Sequence, residues 1–261
     1  MARQSSPLLQ LRQAGVSPRL SPVNVACGSG RLLHVIGPNG AGKSTLLARI
    51  AGMLDGEGDV CLSGRRLADW PARELAWHRA YLAQQQPPTA MMPVFQYLRL
   101  HQPPAAGEAI NDDVVGFLAQ KLMLADKLSR ALTRLSGGEW QRVRLAAALL
   151  QIWPAANPYG RLLLLDEPAN SLDVAQQAAL DELLHTLCRS GVTVIVCAHD
   201  LNHSLQHADG VWLMSGGRLA AHGDTADVMQ PEILSPVFGV DFQRCRVDGR
   251  DWLITRRGDE N

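Results

Sequence analysis

The most constraining feature of this chain is the segment GPNGAGKS at residues 37–44. It fits the pattern G-x-x-x-x-G-K-[ST] at each fixed position, between an apolar run and a segment of helical periodicity. Glycines lack a Cβ, so successive backbone N–H groups can turn inward around a phosphate chain, and the helix N-terminus adds partial positive charge. The segment therefore predicts a strand–loop–helix unit that binds nucleotide phosphates.

Two side chains of this loop have specific expected contacts. Lys43 can reach the β- and γ-phosphates, and Ser44 can bind Mg²⁺. Lysine is rare in this chain, so composition alone does not explain a lysine here. A glycine-rich turn without a ligand is the alternative. The expected nucleotide contacts of this segment are Gly37, Pro38, Asn39, Gly40, Ala41, Gly42, Lys43, Ser44 and Thr45.

An acidic pair ends a run of leucines in the sequence LLLLDEP at residues 162–168. Such a continuous apolar run is typical of a strand in a parallel sheet that is covered on both faces. Ligands of open α/β sheets bind at the carboxyl ends of the strands, so we expect Asp166 beside the phosphate loop, where it can hold Mg²⁺. Glu167 can then orient or deprotonate the attacking water. The alternative is a solvated loop that Pro168 ends.

A second glycine loop, LSGGEWQR at residues 135–142, precedes a predicted helix that runs to about residue 152. Ser136 and Glu139 have the spacing of a capping box, so the segment could simply start this helix. A cap does not require two consecutive glycines, each of which lowers helix stability. Gly137 and Gly138 expose backbone N–H groups, which favours a second anion site.

The order of these motifs resembles the nucleotide-binding domain of ATP-binding cassette (ABC) transporters, over roughly residues 8 to 221. LSGG is the signature of that family, and the Asn-Lys-x-Asp motif of GTPases is absent from the sequence. The resemblance implies an ATPase with ATP and Mg²⁺ as cofactors. It also implies that Ser136, Gly137 and Gly138 contact the γ-phosphate held by a second copy of the chain, in a head-to-tail dimer.

Three further residues take roles from this resemblance. Gln84 resembles a catalytic glutamine that senses Mg²⁺ and the water, although Gln85 and Gln86 are alternative matches. Asp173 resembles the residue whose loop crosses to the partner subunit, and it also has the spacing of a helix cap. His199 resembles the histidine that contacts the γ-phosphate and stabilises charge in the transition state. The histidines expected to be packed residues instead are His34, His203 and His207.

Short apolar runs alternate with helical segments, which predicts an α/β fold with a P-loop NTPase core and a mixed, largely parallel sheet. The resemblance adds a small antiparallel β region. No strand is convincing from residue 94 to about 152, so we expect one ABC ATPase domain over residues 1–261, with a core at 1–84 and 159–261 and a helical subdomain at 85–158. The predicted strands are residues 31–36, 59–62, 79–83, 161–165, 192–198 and two within 210–220; the predicted helices include 43–53 and 174–188, and the tail at 225–257 is expected to form short helices and a hairpin.

Charge and hydropathy limit the expected partners. Lys+Arg and Asp+Glu both number 25, so nucleic acid is not expected as a partner. The five cysteines lack zinc-ligand or redox spacing, which favours buried thiols in a reducing compartment. No apolar run reaches the roughly 18 residues that span a bilayer. We therefore expect a cytoplasmic protein that serves a membrane only through a partner.

The N-terminal region departs from the family pattern. The family stacks adenine on an aromatic residue before the phosphate loop, but residues 1–36 contain no Phe, Tyr or Trp. Either base stacking is weak, or a guanidinium plane such as that of Arg19 or Arg12 replaces the aromatic ring, and we expect modest discrimination between bases. Glu139 stands where the family usually has Gln; it supports the cap but adds negative charge near a phosphate.

A single cassette without a membrane segment resembles the ATPases of bacterial importers. The stretches HRAYLAQQQ at 78–86, LSGGEWQRVRLAA at 135–147 and SLDVAQQ at 171–177 resemble ATPase subunits of cobalamin (vitamin B12) importers. This implies two transmembrane permease subunits, an indirect periplasmic substrate-binding protein, and a peripheral location at the cytoplasmic face of the inner membrane. The alternatives are the ATPase of a siderophore or haem importer, or a soluble ABC ATPase unconnected with transport.

Overall fold

The computed structural model describes residues 6–84, 87–88 and 90–256, which form three β-sheets with helices packed around them. Gln85, Gln86 and the predicted end of the tail at residue 257 lie outside the described residues. The strands are β1 (Leu9–Val16), β2 (Leu20–Cys27), β3 (Leu32–Ile36), β4 (Asp59–Leu62), β5 (Arg65–Arg66), β6 (Arg79–Leu82), β7 (Leu162–Asp166), β8 (Thr193–Cys197), β9 (Gly210–Ser215), β10 (Arg218–Asp224), β11 (Phe242–Val247) and β12 (Arg250–Thr255). The α-helices are α1 (Lys43–Ile50), α2 (Ala72–His78), α3 (Val94–Arg99), α4 (Glu108–Lys121), α5 (Gly137–Ile152), α6 (Val174–Arg189), α7 (Leu201–His207), α8 (Thr225–Val228) and α9 (Pro231–Phe238).

The central sheet has six strands in the order β10-β9-β3-β8-β7-β6. The pairs β9–β3, β3–β8, β8–β7 and β7–β6 are parallel, and β10 pairs antiparallel with β9. Every residue of β3, β7 and β8 is buried, as expected for strands covered by packed layers on both faces. The predicted α/β fold with a largely parallel sheet is confirmed.

A four-stranded antiparallel sheet in the order β2-β1-β4-β5 packs against α1 and the central sheet through a shared apolar cluster. The sequence analysis did not locate β1 and β2. A period-two signal is nevertheless present, because Val23, Val25 and Cys27 are buried and alternate with exposed Asn24 and Ala26. The strand β4 has the bounds that the sequence predicted.

The chain between β6 and β7 forms helices and no strand among its described residues. Its longest helix, α5, is buried over most of its circumference and contributes to an apolar cluster shared with β6, β7 and α6. The side-chain amide of Asn157 donates to the carbonyls of Trp77 and Gln151, each at 2.7 Å. This buried amide fixes the end of α5 to α2, where the chain returns to the central sheet.

Several boundaries differ from the prediction for local reasons. The helix α1 ends at Ile50 instead of Met53, since Gly52 adopts a left-handed φ of 70° that stops the helix. The strand β10 continues to Asp224 because its pairing with β9 extends to Gly210. The tail forms α8, α9 and the hairpin β11–β12, as predicted.

The cysteines and histidines are buried to different degrees. Four of the cysteines are buried free thiols, whereas Cys245 is half-exposed on β11. His34 is buried and its Nδ1 lies 2.9 Å from the Ser204 hydroxyl. His203 and His207 are half-buried, and their rings pack against each other with centroids 4.5 Å apart. Within the described ranges, we find no helix with the length and hydropathy to cross a bilayer.

Candidate active site

The predicted site residues gather at one edge of the central sheet. The loop at 37–44 follows β3, His199 follows β8, Asp166 ends β7 with Glu167 directly after it, and Gln84 follows β6. These strands are neighbours in the order β3-β8-β7-β6 and run parallel, so their carboxyl ends meet. Site residues that lie between positions 37 and 199 of the sequence therefore share one edge of the sheet, where ligands generally bind in open α/β folds.

The glycines of the first loop are required by their surroundings. Gly37 and Gly42 have φ values of 146° and 98°, in the region that glycine tolerates best. A Cβ on Gly37 would lie 2.2 Å from the carbonyl oxygen of Met214, and one on Gly42 would lie 3.3 Å from that of Arg19. The loop can therefore close tightly against the neighbouring backbone only with glycine at these positions.

Lys43 points into this loop. Its side chain is nearly buried, and Nζ donates to the carbonyls of Gly37 at 2.8 Å and Pro38 at 3.1 Å. These contacts hold the ammonium group in the centre of the loop. A phosphate chain that entered the loop would meet this positive charge together with the N–H groups at the start of α1.

Ser44 and Asp166, the two residues expected to bind Mg²⁺, lie in contact with each other. The Ser44 hydroxyl donates to Oδ1 of Asp166 at 3.1 Å. Asp166 is 2% exposed, and burial raises the pKa of its carboxyl above the ordinary value although the Ser44 hydrogen bond opposes this. A buried carboxylate beside a hydroxyl offers hard oxygen donors, so these residues fit Mg²⁺.

Glu167 lies at the centre of a hydrogen-bonded group. Its Oε1 lies 2.5 Å from Nε2 of His199, and its Oε2 accepts from the amide of Asn170 at 2.7 Å. Partial burial acts to raise the pKa of Glu167, but the hydrogen bonds from His199 and Asn170 outweigh it and hold the pKa below its ordinary value. The carboxylate is thus ionised near neutral pH and held in place by both neighbours.

These residues line one open pocket of about 860 Å³. Gly37, Pro38 and Asp166 lie directly behind its wall, in contact with Lys43 and Ser44. The predicted residues that line the pocket are Asn39, Gly40, Ala41, Gly42, Lys43, Ser44, Thr45, Gln84, Glu167 and His199.

The structure distinguishes the two arginines considered for base stacking. Arg19 lines the pocket beside the phosphate loop, together with Gly216 and Gly217 from the β9–β10 turn. Arg12 is exposed, and its guanidinium donates to the side chain of Gln10 at 2.8 Å instead. Of the two, only Arg19 is placed to contact a base.

The second glycine loop lies elsewhere. Ser136 and Glu139 form the predicted capping box of α5: the Glu139 N–H donates to the Ser136 hydroxyl at 3.2 Å, and the Ser136 N–H donates to the Glu139 carboxylate at 2.8 Å. Ser136 and Gly137 line a separate hollow beside Trp140. Neither Ser136, Gly137 nor Gly138 is among the described residues that line the pocket of Lys43.

The charge of Glu139 is compensated locally. Its carboxylate lies 3.5 Å from the guanidinium of Arg130 and 3.6 Å from the ammonium of Lys127. The Ser136 N–H and these cations hold the pKa of Glu139 below its ordinary value. The negative charge expected near a phosphate is therefore balanced by two cations of the same chain.

Asp173 caps α6, as its spacing predicted. The Gln176 N–H donates to the Asp173 carboxylate at 2.9 Å, and the Asp173 N–H donates to the Gln176 side chain at 3.2 Å. A Cβ on Gly138 would lie 2.9 Å from the carbonyl oxygen of Ser171, so the second glycine loop packs directly against the segment before this cap.

The sequence did not predict three residues that support the site. Asn170 fixes Glu167, as described above. Gln141, which is 1% exposed, donates to the carbonyl of Pro168 at 3.2 Å. Arg144 donates to the carbonyls of Ala83 at 2.6 Å and Gln84 at 3.3 Å. The available signal is that Gln141 and Arg144 are polar residues among the buried apolar positions of α5, but their partners are distant in sequence.

Comparison with known proteins agrees with this geometry. Residues 20–170 match the family model described as ABC transporter. The chain is 69% identical over 248 residues to the vitamin B12 import ATP-binding protein BtuD of Pectobacterium atrosepticum. This match covers 95% of this chain and 99% of that protein. It is 54% identical over 249 residues to the protein of that name from Yersinia enterocolitica, with 95% and 98% covered.

Among solved structures, the ATP-binding subunit of an ABC transporter superposes with a TM-score of 0.75 at 26% identity, over 90% of this chain and 94% of that one. Fold, motif order and sequence identity agree. The chain therefore belongs to the ABC transporter family, among its ATP-binding proteins.

Proposed function

We propose that this chain hydrolyses Mg-ATP and that hydrolysis drives the import of vitamin B12 through a separate membrane permease. The observation that carries the ATPase part is the convergence of Lys43, Asp166, Glu167, His199 and Gln84 at four neighbouring strand ends. The transported molecule is inferred from the relatives, whose names specify vitamin B12 import.

In this proposal, the loop at 37–45 binds the phosphates through its N–H groups and Lys43. Ser44 and Asp166 would hold Mg²⁺, together with Gln84, which lines the same pocket. Bound Mg²⁺ would supply positive charge to the β- and γ-phosphate oxygens. Arg19, which also lines the pocket, would stack on the base.

Glu167 acts as the general base. Its carboxylate is ionised near neutral pH and can accept a proton from the attacking water. His199 lies beside it and can donate to a γ-phosphate oxygen on which charge develops. Asn170 positions Glu167 through the second carboxylate oxygen.

The assembly is also part of the proposal. Ser136, Gly137 and Gly138 lie outside the pocket of their own chain, so we propose that they contact the nucleotide of a second copy, arranged head to tail. Asp173 lies at the segment that faces this copy. The helical subdomain at 85–158, next to Gln84, is the proposed contact with two permease subunits at the cytoplasmic face of the inner membrane.

The Glu167→Gln variant tests the ATPase and its assembly together. Hydrolysis should fall by at least about 100-fold because the general base is lost, whereas ATP binding should persist. With ATP, this variant should elute as a dimer in size-exclusion chromatography, whereas nucleotide-free protein should not. A variant that binds ATP but remains a monomer would contradict the shared site.

The substrate is tested separately in liposomes that contain the chain and its permease. Vitamin B12 delivered by a periplasmic binding protein should increase the ATPase rate and accumulate inside the liposomes. A ferric siderophore or haem in place of vitamin B12 should leave the basal rate unchanged. Stimulation by one of these instead would reassign the substrate and leave the ATPase proposal intact.

A further inference from the structure

A cluster of three potential metal ligands lies outside the nucleotide pocket. Asp181 belongs to α6, and His203 and His207 lie one turn apart on α7. Their ligand atoms all lie within 4.8 Å of one another. Two histidines at positions i and i+4 of one helix, with a carboxylate from a neighbouring helix, form a donor set that binds zinc in other folds.

The two imidazoles face the same carboxylate oxygen. Nε2 of His203 lies 2.9 Å from Oδ2 of Asp181, and Nε2 of His207 lies 3.9 Å from the same atom. The second distance is too long for a hydrogen bond. Donors around a tetrahedral zinc ion with bonds of about 2.0–2.2 Å are roughly 3.3 Å apart, which falls between the two observed separations.

The rings are already arranged side by side. The ring centroids of His203 and His207 are 4.5 Å apart with planes inclined by 24°. His34 also stacks on His203, with ring centroids 5.8 Å apart, and its Nδ1 contacts the Ser204 hydroxyl. These two ring contacts limit the rotation of His203, so little conformational freedom would be lost when a ligand orders these side chains.

The two imidazoles differ in how tightly they hold the proton that a metal cation must displace. The hydrogen bond to Asp181 raises the pKa of His203, so a metal competes with a proton there, whereas burial lowers the pKa of His207 and favours its neutral form. The other charged or titratable groups that act on these two histidines are Asp200, His34, His185 and Arg250. Binding should therefore weaken as the pH falls, because His203 takes up its proton.

We propose that Asp181, His203 and His207 form a binding site for a divalent transition-metal cation, with Zn²⁺ as the best match, separate from the proposed Mg²⁺ site. Two imidazoles and one carboxylate suit such a cation better than Mg²⁺ or Ca²⁺, which prefer oxygen ligands alone. The His207 side chain is 36% exposed, which gives a cation access from solvent and leaves room for water as a further ligand.

The position of this site connects it with the catalytic group. A cavity of about 210 Å³ is lined by Asp181 and His203 and also by Glu167 and His199. The bound cation would also join α6, which begins after Asp173, to α7, which begins after His199. The site therefore bridges the two helices that follow catalytic segments.

Zinc binding can be measured directly on the tag-free full-length chain without nucleotide or Mg²⁺. Isothermal titration with Zn²⁺ should give one site per chain with low-micromolar affinity or better, and Co²⁺ should give the intense visible absorption of a tetrahedral site. His207→Gln and Asp181→Asn should each weaken binding by more than about tenfold.

Thermal unfolding gives a second measure of binding. Zn²⁺ at 100 times its dissociation constant should raise the Tm of the unaltered chain by about 5 °C, and that of His207→Gln much less.

His222→Gln is the matched control, because His222 is an exposed histidine on β10 outside the cluster. It should bind Zn²⁺ like the unaltered chain. Loss of the site in the cluster variants alone would support the proposal. An absence of one-per-chain binding, equal affinity in His207→Gln, or a cobalt–thiolate absorption band that places the metal on a cysteine would each overturn it. Because no readout requires hydrolysis, the result is independent of the ATPase proposal.

Discussion

The two glycine loops of this chain look alike in sequence but differ in what surrounds them. The loop at 37–44 is enclosed by its own chain: Lys43 is nearly buried, and a Cβ on Gly37 would collide with the Met214 carbonyl. The loop at 136–138 lies at the surface, where Ser136 is occupied by the capping box of α5. Both lie at a helix start, yet among the described residues only the first has the proposed catalytic side chains of its own chain around it.

This difference indicates that a glycine-rich helix start becomes a complete phosphate site only when neighbouring strands supply the remaining groups. The first loop has them from the segments that follow β6, β7 and β8. In the proposed dimer, the second loop receives them from another molecule. Variants of the two loops should therefore fail in different assays, the first in nucleotide binding and the second in dimerisation and hydrolysis.

The largest expected effect is that of Lys43→Ala. Loss of a buried charged contact to the phosphates should weaken ATP binding by about 100-fold, which corresponds to about 3 kcal/mol. A fluorescent ATP analogue titrated into the monomer measures it. Lys121→Ala is the control, because Lys121 forms an exposed ion pair with Glu182. Equal affinity of the Lys43→Ala variant and the unaltered chain would remove Lys43 from the site.

Gly138→Ala, in the second loop, should lower hydrolysis and leave nucleotide binding unchanged. Its Cβ would lie 2.9 Å from the Ser171 carbonyl, so the segment between Glu167 and Asp173 must shift. We expect the ATPase rate to fall about tenfold, since a displacement of about 1 Å can cost more than that, while ATP affinity of the monomer stays unchanged. Gly116→Ala, within α4 and without neighbours near its Cβ, should retain full activity. Normal hydrolysis by Gly138→Ala would mean that this close contact is dispensable.

Ser136→Ala separates the cap from the nucleotide contact. Loss of the cap should lower the free energy of unfolding by about 1 kcal/mol, and Asp173→Ala should give a similar loss at α6. Thermal or urea unfolding measures both. If Ser136 also contacts the partner's nucleotide, Ser136→Ala should reduce hydrolysis more than its stability change explains. The variant Ser136→Thr should retain the cap, because Thr is also a favoured N-cap residue. An ATPase rate equal to that of the unaltered chain would leave Ser136 with a capping role alone.

The smallest expected effect is that of Arg19→Ala. Loss of a stacked guanidinium at an exposed site should weaken ATP binding about threefold, with GTP affected to a similar extent. Competition titrations with the two nucleotides give both values, and Arg12→Ala should be neutral. A strong preference for ATP over GTP in the unaltered chain would show that another group recognises the base.

Local sequence patterns are sufficient to locate most residues of the proposed active site along the edge of the central sheet. The loop at 37–44, the acidic pair at 166–167 and His199 each directly follow a continuous apolar strand, so strand and site were predicted together. The strands β1 and β2 escaped because their alternation is interrupted, with Pro22 inside β2 and register shifts in β1. Half-buried strands with an interrupted alternation carry a weaker signal than continuous apolar strands.

The supporting residues could not be predicted because their roles depend on contacts across the fold. Arg144 holds carbonyls about 60 positions earlier in the chain, and Gln141 holds one 27 positions later. Asn170 is close to Glu167 in sequence, but its contact depends on the turn that Glu167 makes at a φ of 52°. Periodicity gives the face of a helix on which a residue lies, and it does not identify the partner.

The buried hydrogen bond from Gln141 to the Pro168 carbonyl has a mechanical consequence. It ties the N-terminal part of α5, next to the surface glycine loop, to the residue directly after Glu167 of the same molecule. In the proposed dimer, a shift of that glycine loop on contact with a neighbouring molecule's nucleotide would reach the proposed general base through this hydrogen bond. Each subunit of the proposed pair would then respond to the nucleotide bound by the other before it hydrolyses its own.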